Sequence, residues 1–213
     1  MLGVAHVRRL DCGRLPGQVP GPLRGFTLVE LMIAVALLSI LLLLGIPAFG
    51  TYLQNAKLRS GAENFFAGVQ MARAEAVRRN APVQIVLTTD YPDAGAANTT
   101  NLSATAPNWL VRVQDPTTLE FTFIEGKAGT EGAGQAADAT AWVQITGGAV
   151  SSITFNGFGR ASTAATFAFS GPAGGPACAP AGPMRCLNIM VSLGGQARMC
   201  DPAVTAVGDS RAC

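Results

Sequence analysis

The sequence predicts an α+β protein: a long N-terminal helix, membrane-spanning in its first half, packed in its second half on an antiparallel β-sandwich or pair of sheets. Three observations carry this. An apolar run from Leu31 to Ile46 follows a single carboxylate, Glu30. From Phe49 to Asn80 the apolar positions recur in steps of three and four, the stripe of an amphipathic helix. Beyond Pro82 come short alternating segments divided by Gly-, Ala-, Thr- and Asn-rich loops, the pattern of β-strands.

Composition narrows the partners. Of 213 residues only 13% are charged, well under the globular average of about 25%. Residues 1–25 hold Arg8, Arg9, Arg14, Arg24 and Asp11 and precede the apolar run, as a leader would. Without them 11 basic and 12 acidic side chains remain, a net charge of −1, so a globally basic nucleic-acid binder is not indicated. The leader lacks the apolar core of a secretory signal peptide. Its arginines keep it cytoplasmic, so the rest of the chain crosses to the other side. Its Pro and Gly content predicts disorder, and an alternative start codon inside it stays open.

Residues 26–49 would span about 36 Å as a helix, enough for a bilayer core of about 30 Å. Gly45 and Pro47 fall near the end of this stretch, and a proline inside a helix kinks or ends it. Residues 50–82 form the amphipathic half. Its polar face carries Lys57, Arg59, Glu63, Gln70, Arg73, Glu75, Arg78 and Arg79, and Glu75 and Arg79 are spaced to pair. Asn80-Ala81-Pro82 stops the helix, and Gly61 and Gly68 weaken it. Residues 83–213 form the β-rich domain. Strands are expected at 83–87, 109–113, 121–124, 141–145, 152–155, 166–169, 187–191 and 196–199, with long mobile loops at 90–107 and 126–140.

Gly25-Phe26-Thr27-Leu28-Val29-Glu30-Leu31 ahead of an apolar run resembles the signal of type IV prepilins. That resemblance implies a type IV pilin-like fold, cleavage by prepilin peptidase after Gly25 and N-methylation of Phe26. It also implies assembly with other pilins or pseudopilins through Phe26, Thr27, Glu30 and a helix that bends or melts at Pro47. Lipid of the bacterial inner membrane would hold the helix, with the C-terminal domain periplasmic. A carboxylate in an apolar environment is tolerable when paired, so Glu30 is expected to neutralise the α-amino group of a neighbouring subunit's Phe26. A plain signal anchor with a stray glutamate is the simpler alternative.

The segments 72–83 and 153–160 resemble the GspH/FimT group of minor pilins and pseudopilins. Proteins of the FimT kind are associated with DNA binding through a Gly-Arg-x-Arg motif in the C-terminal region. The matching stretch here is Gly195-Gln196-Ala197-Arg198, so the first arginine is replaced by Gln196. A DNA-capturing subunit is therefore the alternative to a structural one, with Arg198, Arg185, Arg211 and Arg160 as candidate phosphate contacts.

Cleavage would remove Cys12 and leave Cys178, Cys186, Cys200 and Cys213, an even number that suits an oxidising compartment. Proximity favours Cys178–Cys186 and Cys200–Cys213, although three connectivities are possible. The one histidine, His6, lies in the leader, which argues against zinc and against Ser-His-Asp or Cys-His catalysis. Glu125-Gly126-Lys127-Ala128-Gly129-Thr130 fails the P-loop pattern, and Gly157-Phe158-Gly159 has no dinucleotide-binding unit around it. Asp90, Asp93, Asp115, Glu120 and Glu125 are scattered in or beside loops, with nothing to select an acid–base pair. No enzyme activity, cofactor, metal or small-molecule substrate is expected.

Overall fold

The structure is a computed structural model that describes residues 25–129 and 143–213, without the side chains of residues 43–48. The expected leader, residues 1–24, and most of the expected loop 126–140 lie outside the described residues. The chain divides into two compact units between Leu44 and Gly45.

Helix α1 runs from Leu28 to Arg79. Its helical backbone continues through Gly45 and Pro47, so these two residues do not end it. The helix ends where the sequence says it should. Asn80 takes φ 49°, its N–H donates to Val77, and the N–H of Ala81 donates to Ala76. This is a Schellman closure, in which a left-handed residue satisfies the last carbonyls. Pro82 then blocks continuation.

Along its second half α1 buries Leu58, Ala62, Phe65, Val69, Ala72 and Ala76 completely. The steps of four and three place all six on one face. They meet two antiparallel sheets. The first has the order β4-β3-β1-β6, built from β1 (Val83–Thr88), β3 (Asn108–Gln114), β4 (Phe121–Lys127) and β6 (Ser152–Phe155). The second has the order β2-β5-β7-β8-β9. Its strands are β2 (Thr105–Ala106), β5 (Gln144–Thr146), β7 (Ala165–Ser170), β8 (Leu187–Val191) and β9 (Ala197–Cys200).

Phe65 sits at the junction of helix and sheets. Its ring meets Trp109 of the first sheet edge-on at 5.8 Å and lies 4.8 Å and 5.4 Å from Phe167 and Phe169 of the second. Gly68, a weak helix former, is explained by Trp109: a Cβ there would come within 2.5 Å of the indole ring. The helix gives up intrinsic propensity so that the indole can approach its backbone.

The segment 90–107 corrects the expectation of a long mobile loop. It holds a 3-10 turn, Ala94–Ala96, whose N-terminus is capped by the Asp93 carboxylate. The Asp90 carboxylate accepts from the Thr99 hydroxyl and from Asn101 Nδ2, which holds its pKa below the usual aspartate value. Ala96 and Leu102 cover Val86 and Leu110 on the outer face of the first sheet, making a second, smaller core. Strands β1 and β3 are thus buried on both faces. That is why Ile85-Val86-Leu87 and Trp109-Leu110-Val111 are continuous apolar runs rather than alternations.

Candidate functional site

The first site is the start of the helix. Thr27 is its N-cap: the Thr27 carbonyl accepts from the N–H of Leu31 at 3.1 Å, and its hydroxyl accepts from the N–H of Glu30 at 3.2 Å. A helix leaves its first N–H groups without partners, and a threonine at this position supplies one. Glu30 therefore sits at the third helical position, where the positive end of the helix dipole favours a carboxylate. Thr27 appears in the sequence as one more residue of the motif. Its cap role was readable from the spacing Thr-x-x-Glu before an apolar run. From Leu28 to Leu42 the apolar side chains are exposed on every side of the helix, and Phe26 is exposed before them. Among the described residues no helix is long and apolar enough to cross a membrane. The C-terminal end of the expected span, including Pro47, falls on side chains outside the described residues.

The second region is in the β-rich unit. The two bridges are Cys178–Cys186 and Cys200–Cys213, with Cα atoms 5.5 Å and 5.1 Å apart. The first closes the connection between β7 and β8, and the second ties the segment after β9 back to that strand. The second bridge is reinforced by a bridge pair between Asp201 and Ala212 and by Asp201 N–H donating to Arg211 at 2.7 Å.

The four arginines singled out by sequence divide. Arg185 and Arg211 line one groove together with Tyr52, Asn55 and Arg59 of the helix. Each already has a carboxylate, Arg185 with Asp201 at 3.8 Å and Arg211 with Asp209 at 2.7 Å. The Arg211 guanidinium and backbone N–H hold the Asp209 carboxyl down at about 2. Arg198 lines a different groove of about 870 Å³, opposite Arg73 of the helix. Its guanidinium donates to the carbonyl oxygen of Cys213 at 3.3 Å and touches the Met190 sulfur. Arg160 is exposed at the end of the turn Asn156–Arg160, whose Asn156 side chain accepts two backbone N–H groups.

By sequence Arg73 falls on the solvated face of the helix. The signal that sets it apart was present: positions 69, 70, 76 and 77 carry no acid, whereas Arg59 has Glu63 and Arg78 and Arg79 have Glu75. Three of the scattered carboxylates, Asp90, Asp93 and Asp115, serve local geometry. Asp115 accepts from the N–H groups of Thr117 and Thr118, and Asp93 caps the 3-10 turn. Among the described residues no group of His, Cys, Asp and Glu could hold a metal ion.

A helix opening on Phe26-Thr27-Leu28-Val29-Glu30, and packing its second half into two antiparallel sheets, defines a pilin-type α+β protein. A family model described as Prokaryotic N-terminal methylation motif matches residues 24–46, and one described as Type II transport protein GspH matches residues 61–195. The second match covers more than half of the sequence, and the chain belongs to the GspH family.

Prepilin peptidase-dependent protein D of Escherichia coli (strain K12) is 45% identical over 42 residues, 20% of this chain. The match spans 29% of that protein's length. Among solved structures, the type IV minor pilin FimU of Pseudomonas aeruginosa (strain PAO1) is 18% identical with a TM-score of 0.47, covering 70% of this chain and 91% of that one. The minor pseudopilin EpsH from the Type 2 Secretion System of Vibrio cholerae is 10% identical with a TM-score of 0.44, covering 70% and 99%.

Proposed function

We propose that the protein is a minor subunit of a type II secretion pseudopilus or a type IV pilus, cleaved after Gly25 by prepilin peptidase and methylated at Phe26. The observation that carries this is the methylation motif over residues 24–46 on the same helix whose second half is the spine of the β-rich unit. A helix apolar on all sides needs an apolar surround. Before assembly that surround is inner-membrane lipid, with the β-rich unit in the periplasm. After assembly it is the helices of neighbouring subunits. Glu30 then meets the α-amino group of a neighbour's Phe26, a charge pair that offsets the cost of burying either alone. The prepilin peptidase of Escherichia coli, named in the relative above, indicates the class of enzyme that would process this chain.

The DNA-capturing alternative draws less support, because Arg185 and Arg211 are already neutralised by aspartates. The deciding experiment compares Glu30→Ala with the unaltered protein in a deletion strain. Processing should continue, read as the mobility shift of the mature chain. Incorporation into sheared fibres should fall at least tenfold, since an unpaired buried charge costs more than about 1.4 kcal/mol. Normal incorporation of the variant would sink the assembly role of Glu30.

A further inference from the structure

Most arginines on the described surface already face a carboxylate. Arg59 pairs with Glu63, Arg78 and Arg79 share Glu75, Arg185 meets Asp201 and Arg211 meets Asp209. Arg112 is buried and held by an amide oxygen and backbone carbonyls. Three remain: Arg73 and Arg160 have no carboxylate partner among the described residues, and Arg198 donates to a main-chain oxygen of Cys213.

Two of these line one groove, and the third stands on a turn that abuts its wall. Arg73 and Arg198 both line it. Its floor includes Ala165, Val191 and Ala197, which stand in register across β7, β8 and β9, and the two alanines are small enough to leave it open. Arg160 follows Gly159, and a Cβ on Gly195 of the groove wall would run into the Gly159 carbonyl oxygen. Gly159 and Gly195 both take positive φ, at 72° and 75°. Their missing side chains let Arg73 lie across both turns: Cβ atoms there would fall 3.1 Å and 3.3 Å from its Nε. Any other residue at either position would be strained in this conformation and would crowd the guanidinium.

The rim is apolar. Phe158 is 86% exposed, Leu193 54% and Val77 52%. Val77 Cγ2 lies 3.1 Å from the Cβ position of Gly159, and the Leu193 carbonyl accepts from the N–H of Ala161 at 3.1 Å, which places both beside the turn that carries Phe158. Arginines among an exposed aromatic and aliphatic side chains have the composition of a protein-binding hot spot. A guanidinium offers a carboxylate two parallel hydrogen bonds.

We propose that this groove receives an acidic, apolar-flanked segment of a partner protein. Its carboxylates pair with Arg73, Arg160 and Arg198, and its apolar side chains cover Phe158 and Leu193. A peptide segment is favoured over duplex DNA, because a phosphate backbone leaves the apolar rim uncovered. The groove is a different surface from the helix start, so its test reads binding and is independent of fibre incorporation.

The test uses the full chain in detergent micelles and fluorescence anisotropy. The probes are a labelled peptide alternating glutamate and leucine, its glutamine–leucine counterpart, and a labelled DNA duplex of matched length. The glutamate peptide should bind about tenfold more tightly than the glutamine peptide, as expected where desolvated charge pairs form. Arg73→Gln and Arg198→Gln should each weaken it about fivefold or more, and Phe158→Ser should weaken it with the unfolding midpoint unchanged. Arg59→Gln, outside the groove, should leave binding as it was. Equal affinity for the two peptides, no binding of either, indifference to Arg73→Gln and Arg198→Gln, or tighter binding of the duplex would overturn the proposal.

Discussion

The guanidinium of Arg112 sits over the ring of Phe121, its Cζ 3.8 Å from the ring centroid. It is only 5% exposed, and it donates to Gln84 Oε1 and to the carbonyls of Ala97 and Thr99. It is the clasp that fastens the segment 90–107 to the outer face of the first sheet. Burial lowers its pKa from the ordinary guanidinium value, yet the hydrogen bonds and the ring satisfy the charge without a carboxylate.

Replacing Arg112 with Met keeps the volume and removes the bonds. Two backbone carbonyls lose their donor, which costs about 2–3 kcal/mol. Urea denaturation of the variant should show a lower midpoint, and limited proteolysis should cut first within residues 90–101. A midpoint equal to that of the unaltered protein would show that the clasp adds nothing.

Phe65 binds the helix to both sheets, so its truncation should be the most damaging single change in the main core. Phe65→Ala removes a ring packed on three aromatic partners and should cost about 3–5 kcal/mol. Gly68→Ala should also destabilise, despite the better helix propensity of alanine, because the new methyl group meets Trp109. Chemical denaturation of both variants checks the order, and a stabilised Gly68→Ala would refute the close approach.

Glu75 accepts from Arg78 and Arg79 at 2.6 Å each. Those hydrogen bonds bring its pKa down from 4.5 to about 2. A carboxylate whose folded pKa is depressed binds its proton more readily when unfolded, so it adds stability above the unfolded value. That contribution is present above about pH 4.5 and is lost as the pH falls towards 2. The pair is solvent-accessible, so the effect is small and screened by salt. Melting temperatures recorded from pH 6 down to 2 should fall less steeply in Glu75→Gln, most visibly at low ionic strength.

Cys200 and Cys213 are 13 residues apart. Closing a loop of that size restricts the unfolded chain and stabilises by about 3 kcal/mol on the chain-entropy account. The double variant Cys200→Ser, Cys213→Ser should melt lower and free residues 201–212 to rapid amide exchange, while β8 keeps its protection. Uniform loss of protection through β7 and β8 would mean that the bridge holds the whole second sheet.

Legibility in the sequence followed burial geometry. Strands β6 and β8 were readable to the residue, since alternation and flanking turns mark their ends. The helix stripe and its stop at Asn80 were equally plain. The Gly45–Pro47 interruption misled because local breaker chemistry does not decide whether the flanking turns stay helical. The segment 90–107 misled for the opposite reason. Its polar composition resembles an unanchored loop, but its order comes from Arg112, Asn108 and Thr88, which lie elsewhere in the chain or at its edges. At the candidate sites, motif spacing gave the helix start. The groove could not be read in the same way, because Arg73, Arg160 and Arg198 are brought together only by β-strand register and two abutting turns.

The second core shares β1 and β3 with the main one, but on opposite faces. Val83, Ile85 and Leu87 belong to one and Val86 to the other. The segment 90–104 could therefore come away as a flap without removing a single member of the larger core, which begins again at Ala106. Such a domain would have two melting events instead of one, the first confined to its outer skin. A protein with a sheddable skin could tolerate variation there, in length or in sequence, while the surface around the helix stays fixed.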